Sequence, residues 1–154
     1  MKYFEGIMIA ILTGTYLDTE VTKLASQLSR ETKEKLSLVY IIEIPRNLEV
    51  DREIPNLTVK AEETLNRMEA LSKNMKIRPK SQIIQSRFIG SAVVSHAIEE
   101  GSQAIVMALP PKSKHSAFYQ LSDSLEYVLE HAPCSVITCR PSLNRSLEQV
   151  GESA

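Results

Sequence analysis

Residues 103–140 read QAIVMALPPKSKHSAFYQLSDSLEYVLEHAPCSVITCR. The stretch opens with an uncharged β-type run, 104–109, that stops at the double proline Pro110-Pro111. Proline has no N–H for a ladder and fixes its own φ, so a strand ends there. A polar, basic loop follows (Lys112, Ser113, Lys114, His115, Ser116). After it come a short amphipathic helix, a turn at Ala132-Pro133 and a second β-branched run, 135–138. Strand, loop, helix and strand in that order make half of an α/β unit. In such folds the loop after the first strand is where ligands are placed.

Runs of the same kind lie upstream. Residues 7–12 (IMIAIL) are continuously apolar, as in a strand covered on both faces. They end at Thr13-Gly14-Thr15, where glycine permits a sharp turn. Val21, Leu24, Ala25 and Leu28 then follow the i, i+3, i+4, i+7 spacing of an amphipathic helix, with Asp18 or Thr19 placed to cap it. Residues 36–44 (LSLVYIIEI) predict a second buried strand, closed by Pro45. The polar, proline-bounded segment 45–55 reads as a surface connection. From 57 to 75 a helical pattern returns, with Ala61, Leu65, Met68 and Leu71 on one face. Residues 81–85 predict a short strand and 87–90 a turn. Ser91 opens a helix carrying Ala92, Val93, Ala97 and Ile98, ended by Gly101 as its C-cap.

The alternation is β-α-β-α-β-α-β-α-β. Right-handed crossovers turn it into an α/β fold: a single-domain, doubly wound, five-stranded parallel sheet of order 3-2-1-4-5 with helices on both faces. The winding reverses between strands 1 and 4, which sets a crevice at their carboxyl ends. Residues 13–15 and 108–116 flank it. The domain is expected over residues 1–141, with a polar tail over 142–154.

Composition narrows the function. The 154 residues fit one domain. Net charge is −1 and the cations are spread along the chain, so no nucleic-acid footprint is expected. Apolar runs fall short of the roughly 18 residues that span a bilayer, so no direct membrane insertion is expected. The first residues lack a cleavage pattern, and two cysteines make no disulfide framework, which points to a reducing cytoplasm.

Three segments carry a resemblance to a known family. Residues 126–140 (EYVLEHAPCSVITCR), with their His131-Ala132-Pro133-Cys134 run, resemble the final helix and strand of the universal stress protein superfamily. Residues 104–107 resemble the strand before that family's nucleotide loop, and 7–15 its first strand and turn. The resemblance covers about residues 3–140. It implies the sheet derived above and a homodimer paired through the last strand, with Ser135, Val136, Ile137 and Thr138 as the candidate edge. Many members bind ATP through Gly-x2-Gly-x9-Gly-Ser/Thr after the fourth strand, where glycines let backbone N–H groups reach phosphate. Here those positions fall on Ala108, Pro111 and Leu121, or on Ser122 and Asp123 counted back from His131. No glycine stands between Gly101 and Gly151. Asp123-Ser124-Leu125-Glu126 reads as a capping box that would fill the helix end with a carboxylate. The family's usual aspartate after strand 1 is replaced by Thr13. The family's mode of ATP binding is therefore not expected.

Other features have plain readings beside sharper ones. The loop Lys112, Ser113, Lys114, His115, Ser116 is either a solvated loop or a side-chain anion site. Ser122 and Ser124 either cap or bind. His131 with Cys134 invites thiol catalysis, but no orienting acid stands nearby, so Cys134 reads as a small buried hydrophobe. Cys134 and Cys139 would face opposite sides of one strand. His96 reads as a surface or rim residue. The expected function is a universal stress protein-like regulatory or interaction module, acting alone, with a protein partner or with an associated transporter. The alternative is a sensor of a nucleotide, cyclic dinucleotide or other anion. Its site would be Thr13, Gly14, Thr15, Ile41, Met107, Ala108, Lys112 and Lys114, with Ser122 and Ser124 at the edge. No cofactor is assigned beyond a possible nucleotide, no metal spacing is present, and an enzyme is the least favoured reading.

Overall fold

The computed structural model describes residues 6–110 and 121–140 in full and the backbone of 116–120. Lys112 and Lys114 of the basic loop, and the tail 142–154, lie outside the described residues. Five strands, β1 (Ile7–Leu12), β2 (Lys35–Glu43), β3 (Lys80–Ser86), β4 (Ala104–Ala108) and β5 (Ser135–Cys139), alternate with four helices. The helices are α1 (Leu17–Thr32), α2 (Pro55–Asn74), α3 (Ile89–Glu100) and α4 (Ser116–His131). All strand pairs are parallel, and the order is β3-β2-β1-β4-β5. α1 packs on α2 and α3 on α4, one pair to each face. β1 and β4 are buried nearly throughout, which is why they read as unbroken apolar runs.

The anticipated strands and helices are all present, but several local assignments change. The N-cap position of α1 is Tyr16, which makes no side-chain cap, and Asp18 instead reaches backwards from the first turn. α3 begins at Ile89, two residues before Ser91, and its buried set is Gly90, Val93, Val94, His96 and Ala97. Ile98 is 62% exposed. Gly101 does end α3 in the left-handed region, at φ +63°. α4 starts at Ser116, so Asp123 lies two turns inside the helix and the capping box does not form. The helix continues through 116–122 because that stretch holds no proline or glycine to stop it.

The connection between β2 and α2 is tied down by side chains from the far edge of the sheet. Arg87 donates to the carbonyls of Pro45 and Leu48 at 2.9 and 2.7 Å. Gln85 donates to those of Val50 and Arg52 at 3.0 and 2.8 Å. These bonds supply backbone partners that the segment does not find in regular structure.

Candidate functional site

β1 and β4 part company at their carboxyl ends. Their ladder runs only from Met8↔Ala104 to Ala10↔Val106, whereas β1 stays paired with β2 as far as Leu12↔Tyr40. This is the winding reversal, and the β1–α1 turn stands beside it.

In that turn Thr13, Gly14 and Thr15 gather around Asp18, which is 2% exposed. Asp18 Oδ1 accepts the Thr13 N–H at 2.7 Å and the Thr13 hydroxyl at 2.9 Å, and Oδ2 accepts the Gly14 N–H at 2.8 Å. Thr13 has spent its one hydroxyl hydrogen, so the 2.6 Å contact with Thr15 Oγ1 is donated by Thr15. Burial pushes the Asp18 carboxyl above its ordinary range; the bonds from Thr13 and Gly14 and the charge of Arg67 pull the other way. Tyr40 closes the turn from β2. Its phenol is pushed up by burial and by the Asp18 charge, so it stays a neutral donor. Gly14 has φ +76°, and a Cβ there would sit 2.5 Å from Tyr40 Oη and 2.8 Å from Lys60 Cε. The Thr13 and Gly14 N–H groups are thus held by an internal carboxylate, while Tyr40 and Lys60 pack against Gly14.

A depression of about 470 Å³ opens on the α3–α4 face, at the carboxyl end of β2. Among the described residues it is walled by Glu43, Phe88, Gly90, Asp123, Ser124 and Tyr127 with their neighbours. Phe88 and Tyr127 remain 56% and 39% exposed. Burial pushes the Glu43 carboxyl up. Gly90 lets α3 approach α4, for a Cβ on it would lie 2.9 Å from Tyr127 Cβ and 3.2 Å from the Ser124 carbonyl oxygen.

The sequence candidates therefore fall into separate places. Thr13, Gly14 and Thr15 form one cluster. Ile41, Met107 and Ala108 are core side chains. Ser124 lines the α3–α4 depression, and Ser122 is exposed on α4. His96 is 7% exposed, not a rim residue, and its Nε2 is buried without a hydrogen-bond partner among the described residues. His131 Nδ1 donates to the Tyr127 carbonyl at 3.0 Å while its ring stacks on Tyr127 at 4.2 Å, so the imidazole is engaged within its own helix. Burial pushes the Cys134 thiol up, against a bond with Ser102, and both cysteines are free. A neutral thiol is a poor nucleophile. Sequence reasoning missed Asp18, Tyr40, Lys60, Glu43, Phe88 and Tyr127. For Asp18, Glu43 and Phe88 the available signal was their place at a strand end or a helix start, where this fold builds sites; Tyr40, Lys60 and Tyr127 lie inside their elements and carried no such signal. Among the described residues no group of three or more His, Cys, Asp or Glu side chains is placed to hold a metal. No described helix is long and apolar enough to cross a membrane.

With this architecture in view, comparison with known proteins gives the class. The chain belongs to the universal stress protein family, whose model matches residues 5–140. A universal stress protein from Archaeoglobus fulgidus superposes with a TM-score of 0.70 at 16% identity, over 88% of this chain and 98% of that one. The Archaeoglobus fulgidus protein in complex with dAMP gives 0.69 at 15% identity, over 88% and 97%. An Arabidopsis thaliana member with AMP bound gives 0.62 at 10% identity, over 91% and 94%. At these identities the likeness is one of fold. No curated protein matches the chain.

Proposed function

We propose that this chain is a regulatory and interaction module of its family that does not hold ATP through a backbone phosphate cradle. The observation that carries the reading is the Asp18 carboxylate on the Thr13 and Gly14 N–H groups. A phosphate approaching this turn meets a negative charge and donors already taken. The β4–α4 side offers no glycine to replace them. Thermal melting tests this. Any ligand at one hundred times its dissociation constant adds about 2.7 kcal/mol of stability, a readily visible shift. ATP is expected to give none, and a clear ATP shift would overturn the reading.

The module acts as a cytoplasmic homodimer, through which it meets a protein partner or an associated transporter. The support is that, among the described residues, β5 ends the sheet and one side of the strand has no paired neighbour. Ser135 and Thr138 are its exposed positions. Replacing both by lysine brings like charges together across a two-fold edge. The expected result by sedimentation is a shift from dimer to monomer mass. A wild-type monomer, or a variant that stays dimeric, rules β5 out as the interface.

A second reading, a small-molecule sensor, is favoured by one specific observation. The α3–α4 depression lies at the carboxyl end of the sheet and falls within the size range of ligand pockets, roughly 300–1,000 Å³. Nucleotide complexes of fold relatives with dAMP and AMP supply the first compounds to try. AMP and cyclic dinucleotides belong in the same melting series. A shift with one of them, absent with ATP, supports the sensor over the partner-only module.

A further inference from the structure

Among the described residues, the α3–α4 depression has the wrong charge for a phosphate. Its described walls contribute two carboxylates, Glu43 from the last position of β2 and Asp123 from α4, and no lysine or arginine. Neither carboxylate is in an ion pair or a side-chain hydrogen bond with the described residues. The guanidinium carbon of Arg46 stands 5.6 Å from the Phe88 ring centroid, yet Arg46 does not line the depression. Two aromatic rings, Phe88 and Tyr127, stay partly open there. Carboxylates recognise ammonium and guanidinium groups by charge-assisted hydrogen bonds, and ring faces attract the same cations through their quadrupole.

We propose that this depression is a binding site for an organic cation, an alkylammonium or guanidinium group with an apolar body. Glu43 and Asp123 take the charge, Phe88 and Tyr127 hold the apolar part, and the Ser91 and Ser124 segments form the floor. The proposal rests on the sensor reading, that the carboxyl end of the sheet keeps a ligand, and specifies its charge. Burial of Glu43 fits it. A carboxylate pushed up by partial loss of solvent gains more from an arriving cation than an exposed one does. The same two carboxylates repel a nucleotide phosphate, so the site discriminates by sign. Close packing of α3 on α4 at Gly90 gives the pocket a rigid back wall, which limits the ordering cost of binding.

The test is isothermal calorimetry of the full chain with agmatine, 1,4-diaminobutane, spermidine and a capped arginine amide, beside AMP and inorganic phosphate. At least one cation is expected to bind with an affinity that falls as sodium chloride rises. Glu43→Gln is expected to weaken it about tenfold, the scale of one charged hydrogen bond. Asp123→Asn, on an exposed helix position, is the second variant and should fold as wild type. Phe88→Leu should cost a few-fold through loss of the ring face. Tighter binding of the capped arginine than of the free amines assigns the cation to a protein side chain, and the reverse assigns it to a free amine. AMP binding without amine binding overturns the proposal and leaves the sensor reading standing. No binding by any compound overturns both. Amine binding unchanged in both Glu43→Gln and Asp123→Asn overturns the assignment to this depression.

Discussion

Asp18→Ala is expected to lower unfolding free energy by about 2–4 kcal/mol, more than any other polar substitution near the strand ends. The carboxylate accepts two backbone N–H groups and one hydroxyl from the β1–α1 turn. Alanine supplies no acceptor, and each abandoned donor costs about 1–3 kcal/mol if water cannot reach it. The turn is half-buried, which keeps the sum below the simple total. Asparagine keeps one accepting oxygen but points its amide hydrogens at the second N–H, so Asp18→Asn should lose about 1–2 kcal/mol. Urea melts with an unchanged m-value measure both. A loss below about 0.5 kcal/mol for the alanine variant would mean the carboxylate does not organise the turn.

The pH dependence of the same residue has a definite sign. Burial raises the Asp18 carboxyl in the folded state above its unfolded value, so the folded protein holds this proton more tightly. The stability this contributes is fully present below the unfolded aspartate pKa and is lost as pH rises through the raised folded pKa. Asparagine does not titrate, and it leaves the other carboxylates in place. The stability gap between wild type and Asp18→Asn should therefore narrow as pH rises through that window. A gap that widens over the same range would show that the hydrogen bonds outweigh the burial.

The fold was legible because strands covered on both faces must be largely apolar: residues 7–12 and 104–109 are continuously so, and 36–44 is interrupted only by Ser37, Tyr40 and Glu43. Helix α3 was harder. Its true buried set includes Gly90 and His96, and neither counts as apolar in a periodic pattern, so the inner stripe was set about one residue off at Ile98. The start of α4 was misplaced for a different reason. Asp-Ser-Leu-Glu matches a capping box locally, but helix propensity over 116–122 carries the helix through it. The candidate sites were legible only by topology. Thr13-Gly14-Thr15 was found because a turn after β1 must lie at the winding reversal. Asp18 was assigned to the wrong partner, since a carboxylate in a first helical turn usually serves its own helix. Glu43, Phe88 and Tyr127 come from three separate segments, and nothing in one-dimensional spacing places them around one depression.

Gly90→Ala is expected to destabilise the fold by about 1–3 kcal/mol, and its sign decides whether α3 and α4 meet as closely as described. Intrinsic preference argues for the opposite outcome. Glycine inside a helix is worse than alanine by up to about 1 kcal/mol, and Gly90 does not need a left-handed backbone. A loosely packed site would therefore be stabilised by the added methyl. At Gly90, however, that methyl would stand 2.9 Å from Tyr127 Cβ and 3.2 Å from the Ser124 carbonyl oxygen, both fixed to the backbone of α4. Neither can swing aside as a side-chain tip would, so the helices must separate. Gly101→Ala is the control, because nothing lies within 4 Å of its Cβ position and only its φ of +63° opposes the change. That strain is about 1–2 kcal/mol and acts locally at the end of α3. Separation of the helices would also move Tyr127 relative to Phe88 across the depression. Gly90→Ala should thus lose organic-cation affinity along with stability, whereas Gly101→Ala should lose stability alone.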